Sequence, residues 1–187
     1  MITTYTEKID QVLGECRCAL GSVNEAEVTK LADMILAANQ VFFIGVGRVF
    51  LSLEAIAKRL AHCGVRAICV GQIDEPALVA GDLLIVASGS GESLIPVAIA
   101  QKAKKLGAQV VLIGSNPNST IRKIADTFVR IPVRTKLHLD DEIDSRQPMT
   151  SLFEQSLLLF GDMLAMTIIE RRGLDMDRLW QYHANLE

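Results

Sequence analysis

Three serine hydroxyls crowd the stretch Ser88-Gly-Ser-Gly-Glu-Ser93, which follows the apolar run Leu83-Leu-Ile-Val-Ala87 and precedes a segment of helical periodicity. Such a turn brings backbone N–H groups and hydroxyls together at a helix N-terminus, where the dipole's partial positive charge favours an oxyanion. A phosphorylated ligand is the chemistry this implies. Capping the helix would use one hydroxyl, so a purely structural turn accounts for the pattern less well. A second turn, Gly45-Val-Gly47-Arg48, also lies between an apolar run and a helical segment. It does not fit a dinucleotide-binding loop, because Phe50 occupies the third glycine position and Val70-Gly71-Gln72 stands where an acidic residue would end the second strand. The serine turn in its own place lacks the Gly-Lys-Ser/Thr ending of a nucleotide P-loop.

The elements that must position these turns are legible from periodicity. Helical patterns cover residues 5–20 and 24–39, and short apolar strands are expected at 41–44, 67–70, 83–87, 110–113 and 128–131. Further helical patterns at 50–62, 94–106 and 120–125 follow the first, third and fourth strands, and a long helix is expected over 150–172. This alternation predicts a parallel α/β sheet, in which both glycine turns sit at the C-terminal ends of neighbouring strands and border one crevice. The connection 71–82 carries Pro76 and little helical periodicity, so it should run as a loop across a sheet edge. The longest irregular stretch, 132–148, holds Lys136, His138, Asp140, Asp141, Glu142 and Asp144; a lid and a solvated mobile loop fit it equally.

At 187 residues and 50% hydrophobic composition, one core and one domain over residues 1–187 are expected. A formal net charge of -3 without a dense Lys/Arg stripe argues against nucleic acid or an anionic membrane as partner. The apolar runs 157–160 and 163–169 are separated by Gly161 and Asp162 and fall short of a membrane span. The N-terminal residues show no leader pattern, and Cys16, Cys18, Cys63 and Cys69 lack zinc-ligand spacing. Reduced, mostly buried thiols and a cytoplasmic location are the expectation.

Taken together, Gly45-x-Gly-Arg48, Arg59-Leu-Ala-His62 with Gly64, the serine turn preceded by Gly81-Asp82, and Gln147-Pro-Met-Thr-Ser-Leu-Phe-Glu-Gln155 resemble the sugar isomerase (SIS) domain family. The ending His183-Ala-Asn-Leu-Glu187 is similar to that of its 6-phospho-3-hexuloisomerase branch. The resemblance implies a three-layer, flavodoxin-like α/β sandwich with a five-stranded parallel sheet flanked by helices, and a homotetramer with shared active sites. It implies a phosphosugar substrate and no metal or organic cofactor. The implied reaction interconverts 3-hexulose 6-phosphate and fructose 6-phosphate, a step of formaldehyde assimilation by the ribulose monophosphate route. Another phosphosugar isomerase of the same fold, or a regulatory module that binds phosphosugar without turning it over, is the alternative.

By the same resemblance, Gly47, Arg48, Val49 and the turn Ser88, Gly89, Ser90, Gly91, Glu92 and Ser93 would contact substrate, with the serines on the phosphate. Glu154 falls at the family's catalytic carboxylate, and His62 and His183 fall at positions that could assist it. Moving a carbonyl between C2 and C3 needs one base that removes a proton alpha to the carbonyl and returns it to the neighbouring carbon, a task for a carboxylate sheltered by apolar neighbours such as Leu152, Phe153 and Leu157. A histidine could move the hydroxyl proton or polarise the oxygen. Each residue has a plainer alternative: Glu154 complementing the helix dipole, His62 a core histidine, Arg48 an ordinary ion-pair partner. His183 would need the terminus to dock, with Trp180, Tyr182 and Leu186 as anchors and a neighbouring subunit as the receiving site. Two positions depart from the family pattern: Val49 replaces a serine, and Gln72 replaces a glutamate thought to flank the pocket.

Overall fold

The computed structural model describes residues 3–186. Five parallel strands, β1 (Val41–Ile44), β2 (Ala67–Cys69), β3 (Leu83–Ala87), β4 (Gln109–Gly114) and β5 (Thr127–Arg130), form one sheet in the order β2-β1-β3-β4-β5. The register pairs Phe43 with Ile85 and Ile85 with Val111, so the two turns that follow β1 and β3 emerge side by side. Strand order reverses between these two strands, which opens a crevice at their C-terminal ends.

Side chains alternate across the sheet, and both faces are buried. Val41, Phe43, Leu83, Ile85, Val111 and Ile113 pack on one face with α1 (Tyr5–Gly21), α2 (Glu25–Ala37), α3 (Gly47–His62) and α6 (Ser151–Arg172). Phe42, Ile44, Leu84, Val86, Val110 and Leu112 face α4 (Leu94–Lys105) and α5 (Thr120–Ile124). The result is the expected three-layer sandwich. Cys16, Cys63 and Cys69 are buried free thiols and Cys18 is exposed; burial pushes the Cys69 thiol up to about 11, which keeps it protonated and inert.

Three expectations change. First, α3 begins at Gly47, three residues before the expected start, because Gly47 takes φ +56 and turns the chain directly into helix. Arg48 and Val49 are therefore first-turn residues of a helix that aims them. Second, the apolar runs on either side of Gly161 and Asp162 belong to one helix, α6, which was expected over 150–172 and runs unbroken for 22 residues, long enough in all to match a membrane span. A Cβ on Gly161 would collide with Ile56 of α3, so this glycine permits close helix contact. By length and composition α6 could cross a membrane, yet 56% of its apolar window is buried within the fold against α3 and α1. Third, the 132–148 stretch is fastened. Arg134 N donates to Ile143 O at 2.9 Å and Ile143 N to Pro132 O at 2.7 Å, while Arg130 pairs with Asp141 and Arg134 with Asp144, each at 2.7 Å. The 71–82 connection is the expected loop, returning from edge strand β2 past β1 to β3.

Candidate functional site

The serine turn is a built structure. Gly91 N donates to Ser88 Oγ at 3.0 Å and Glu92 N to Ser90 Oγ at 3.3 Å, so the first two hydroxyls shape the loop while keeping further hydrogen-bonding capacity. Ser93 is the N-cap of α4, yet its hydroxyl makes no capping bond and lies 3.4 Å from Ser88 Oγ. A cap residue that leaves the first-turn amides uncapped leaves them to an incoming acceptor. Gly91 has φ +65, and a Cβ there would run into Ser119, so the turn closes only with glycine. Asn116 Nδ2 donates to Ser90 O at 3.1 Å and locks the loop to the end of β4.

A cavity of about 290 Å³ opens beside this turn. Its walls include Val46 and Val49 from the first turn, Ser88, Gly89, Ser90 and Ser93 from the second, Thr135 and Lys136 from the 132–148 loop, and Met149, Thr150, Phe153 and Glu154 from the start of α6. The two glycine turns therefore border one crevice, as their spacing predicted. The volume suits a small phosphorylated metabolite.

Glu154 sits in the first turn of α6, 6% exposed, with Leu152, Phe153 and Leu157 buried around it. Its Oε1 accepts from Thr150 Oγ1 at 2.9 Å, its Oε2 accepts from Arg48 Nε, and its backbone carbonyl accepts from Ser52 Oγ at 3.0 Å. A buried carboxyl group stripped of its partners would cost about 3–5 kcal/mol, so these contacts hold its side chain in place. The carboxylate sits on the boundary between the serine cavity and a shallower cavity of about 220 Å³ lined by Arg48, Leu51, Ser52, Gln155 and Leu158. Arg48 thus lines the outer cavity, not the serine cavity. Its side chain is 67% exposed, which leaves it room to move off the carboxylate.

Not every expected site residue joins this crevice. Glu92 points outward and accepts from Thr120 N at 2.7 Å, tying the serine turn to α5; the Thr120 contacts hold its carboxyl below the usual range. Gly47 and Gly91 act through backbone shape. Gln72 is exposed in the 71–82 loop and does not line the cavity, so that departure bears on no contact there. Val49 does line it, with its Cγ1 packed toward Gly45, and a hydroxyl is absent from that wall.

His62 and His183 meet each other elsewhere. His62 closes the C-terminal end of α3, opposite the end that carries Arg48, and stacks on His183 with ring centroids 5.4 Å apart. A helix of 16 residues separates its ends by about 24 Å, so in one chain this pair lies far from Glu154. The histidines share a pocket of about 300 Å³ with Arg59, Met176, Leu179 and Trp180. The terminus is docked by the 3-10 helix Met176–Tyr182 against α3, but Trp180 and Tyr182 remain 69% and 50% exposed and Leu186 is fully exposed. Two of the three expected anchors are thus only partly used within the chain, and the third not at all. Glu187, the last residue of the terminal motif, lies outside the described residues.

Two acidic residues that the sequence did not single out organise the site. Glu142 accepts from Ser115 Oγ, Thr135 N, Thr135 Oγ1 and Leu139 N at 2.9–3.0 Å, fixing the loop that carries Thr135 and Lys136. Glu15 on α1 accepts from Ser145 Oγ at 2.6 Å, Arg146 N at 3.1 Å and Gln147 Nε2 at 3.0 Å. The Gln147 motif is therefore a strap that holds the approach to α6. Met149, between strap and helix, takes φ +56, an unusual conformation for a non-glycine residue and one that concentrates at functional sites.

This fold and crevice are those of a phosphosugar-handling α/β domain, and residues 34–161 match the SIS domain, so the chain belongs to the SIS domain family. Within the family it falls in the hexuloisomerase branch. It is 41% identical over 182 residues to a protein of Bacillus subtilis named 3-hexulose-6-phosphate isomerase, covering 97% of this chain and 98% of that one. A protein of the same name from Mycobacterium gastri is 37% identical over 182 residues, covering 97% and 91%. A Methanococcus jannaschii protein, whose crystal structure was taken to infer a function of 3-hexulose-6-phosphate isomerase, superposes with a TM-score of 0.83 at 28% identity, covering 97% and 99%.

Proposed function

We infer that this chain is an isomerase that interconverts 3-hexulose 6-phosphate and fructose 6-phosphate through a 2,3-enediolate. The observation that carries this reading is that one crevice joins the serine turn to Glu154, in a chain similar along nearly its whole length to proteins named for that activity. The phosphate is held by Ser88, Ser90, Ser93 and the first-turn amides of α4, and the sugar extends toward the start of α6. Glu154 removes the proton from C3 of fructose 6-phosphate, electrons flow into the C2 carbonyl, and the enediolate forms. Returning the proton to C2 while the carbonyl re-forms at C3 gives 3-hexulose 6-phosphate. Only side chains are needed for these steps. Thr150 orients the carboxylate, and Arg48 must yield its place on Glu154 or share it with the substrate oxygens.

The second proton movement, between the two hydroxyl oxygens, suits a histidine. Because His62 and His183 lie at the other end of α3, they serve the crevice of a neighbouring copy in the homotetramer, whose subunits share active sites. The enzyme works in the cytoplasm as a single domain, in formaldehyde assimilation. The direct test incubates the chain with 3-hexulose 6-phosphate and follows fructose 6-phosphate by NMR. Appearance of the product, abolished by Glu154→Gln, is expected. Tight binding without conversion would identify a phosphosugar-binding module, and conversion only of a different ketose phosphate would identify another isomerase of this fold.

A further inference from the structure

The phosphate-binding crevice has an unbalanced charge. A phosphate monoester carries about -1.5 to -2 charge at pH 7, the serine hydroxyls and amides are neutral donors, and the Glu154 carboxylate in the same cavity has the same sign as the ligand. The Arg48 guanidinium is engaged on Glu154 and faces the outer cavity. A helix N-terminus supplies about half a positive charge, which leaves the dianion incompletely matched.

Among the described residues that line the crevice, Lys136 is the only cationic side chain. It is exposed, and it forms no ion pair with any described residue, whereas its loop neighbour Arg134 is committed to Asp144. Its position is not left to a mobile segment. Thr135 is 4% exposed, and its Cγ2 sits so close to Gly89 that a Cβ there would approach it to 3.1 Å. The stem of Lys136 therefore starts one residue from the serine turn. Glu142 fixes that placement by binding both the amide and the hydroxyl of Thr135, and Ser115 Oγ anchors the same carboxylate to the end of β4.

We propose that Lys136 is the cation that recognises the substrate phosphate, and that Glu142 is a positioning residue that delivers it. This rests on the phosphosugar reading of the crevice and adds its charge-matching group. A flexible ammonium suits the task because it can follow the phosphate as the sugar end shifts between the two ketose forms.

Calorimetric titration of the full chain with inorganic phosphate tests this without depending on turnover. Removing one charge-assisted contact by Lys136→Met is expected to weaken phosphate binding by about tenfold or more and to flatten its dependence on KCl. Lys136→Arg should recover most of the affinity. Glu142→Gln should weaken binding when Lys136 is present but add little to Lys136→Met, and KM for the ketose phosphate should rise more than kcat falls. Weakening of less than fivefold by Lys136→Met would overturn the proposal. Lys136-dependent phosphate binding together with no turnover of 3-hexulose 6-phosphate by the native chain would overturn the hexuloisomerase reading and support the role of Lys136. No phosphate binding by the native chain would overturn both.

Discussion

The two ends of α3 carry chemically different sites. At its N-terminal end, Arg48 meets Glu154 beside a crevice walled by serines, a threonine-bearing loop and the first turn of α6, and Glu154 has defined partners within the chain. At its C-terminal end, His62 and His183 stack beneath an exposed Trp180, with Arg59 alongside. The first site can bind an anion and remove a carbon-bound proton; the second can relay a proton but has no phosphate cradle. About one helix length lies between them. The two ends therefore meet in one site only under the proposed assembly, in which one copy's histidine end faces another copy's carboxylate end.

Removing one member from each end separates the two sites most clearly. Glu154→Gln should reduce kcat about 10³-fold with the fold retained by circular dichroism, as expected for loss of a general base. His183→Ala should reduce kcat about 10²-fold. Subunits carrying Glu154→Gln mixed with subunits carrying His183→Ala should regain activity that neither has alone; failure to regain it in mixed tetramers would place both residues in the same copy's site or remove His183 from catalysis.

A smaller effect is expected inside the crevice. Ser93→Ala removes a hydroxyl that performs no capping, so KM should rise about tenfold while the thermal midpoint stays near its native value. A clear fall in the midpoint would show that the hydroxyl is structural. The smallest effect concerns the strap behind the crevice. Burial pushes the Glu15 carboxyl up, but hydrogen bonds from Ser145, the Arg146 amide and Gln147 outweigh it and hold the group below its ordinary 4.5. A depressed carboxylate contributes stability that is present above the unfolded value and lost as pH falls through the folded one. The urea midpoint should therefore decline below about pH 4.5, and less steeply in Glu15→Gln.

The same comparison explains what the sequence could reveal. The serine turn was legible because its signal is local: three hydroxyls within six residues, directly after a buried strand. The strands were legible because each is a short apolar run, and their order placed the two turns together. Glu154 was identifiable only through the motif around it, since its partner Arg48 is 106 positions away and a first-turn acid has an ordinary dipole role. Glu142 was visible only as one charge among several in the 132–148 stretch, and Glu15 not at all, because a carboxylate in a polar loop or on an amphipathic helix looks solvated until its donors converge. Gly161 read only as a gap between two apolar runs, because its reason, close approach to Ile56, exists only in three dimensions. Gln72 was tied to the pocket by resemblance alone, and it does not line the crevice.

If Glu154 is the base that moves a proton between adjacent carbons of a ketose phosphate, the C3 hydrogen of fructose 6-phosphate should exchange with deuterated water, which NMR follows. The native chain should place deuterium at C3, and Glu154→Gln, folded and still binding phosphate, should not. Exchange that persists in Glu154→Gln, or its absence from a native chain that binds the sugar phosphate, would remove Glu154 from the role of base.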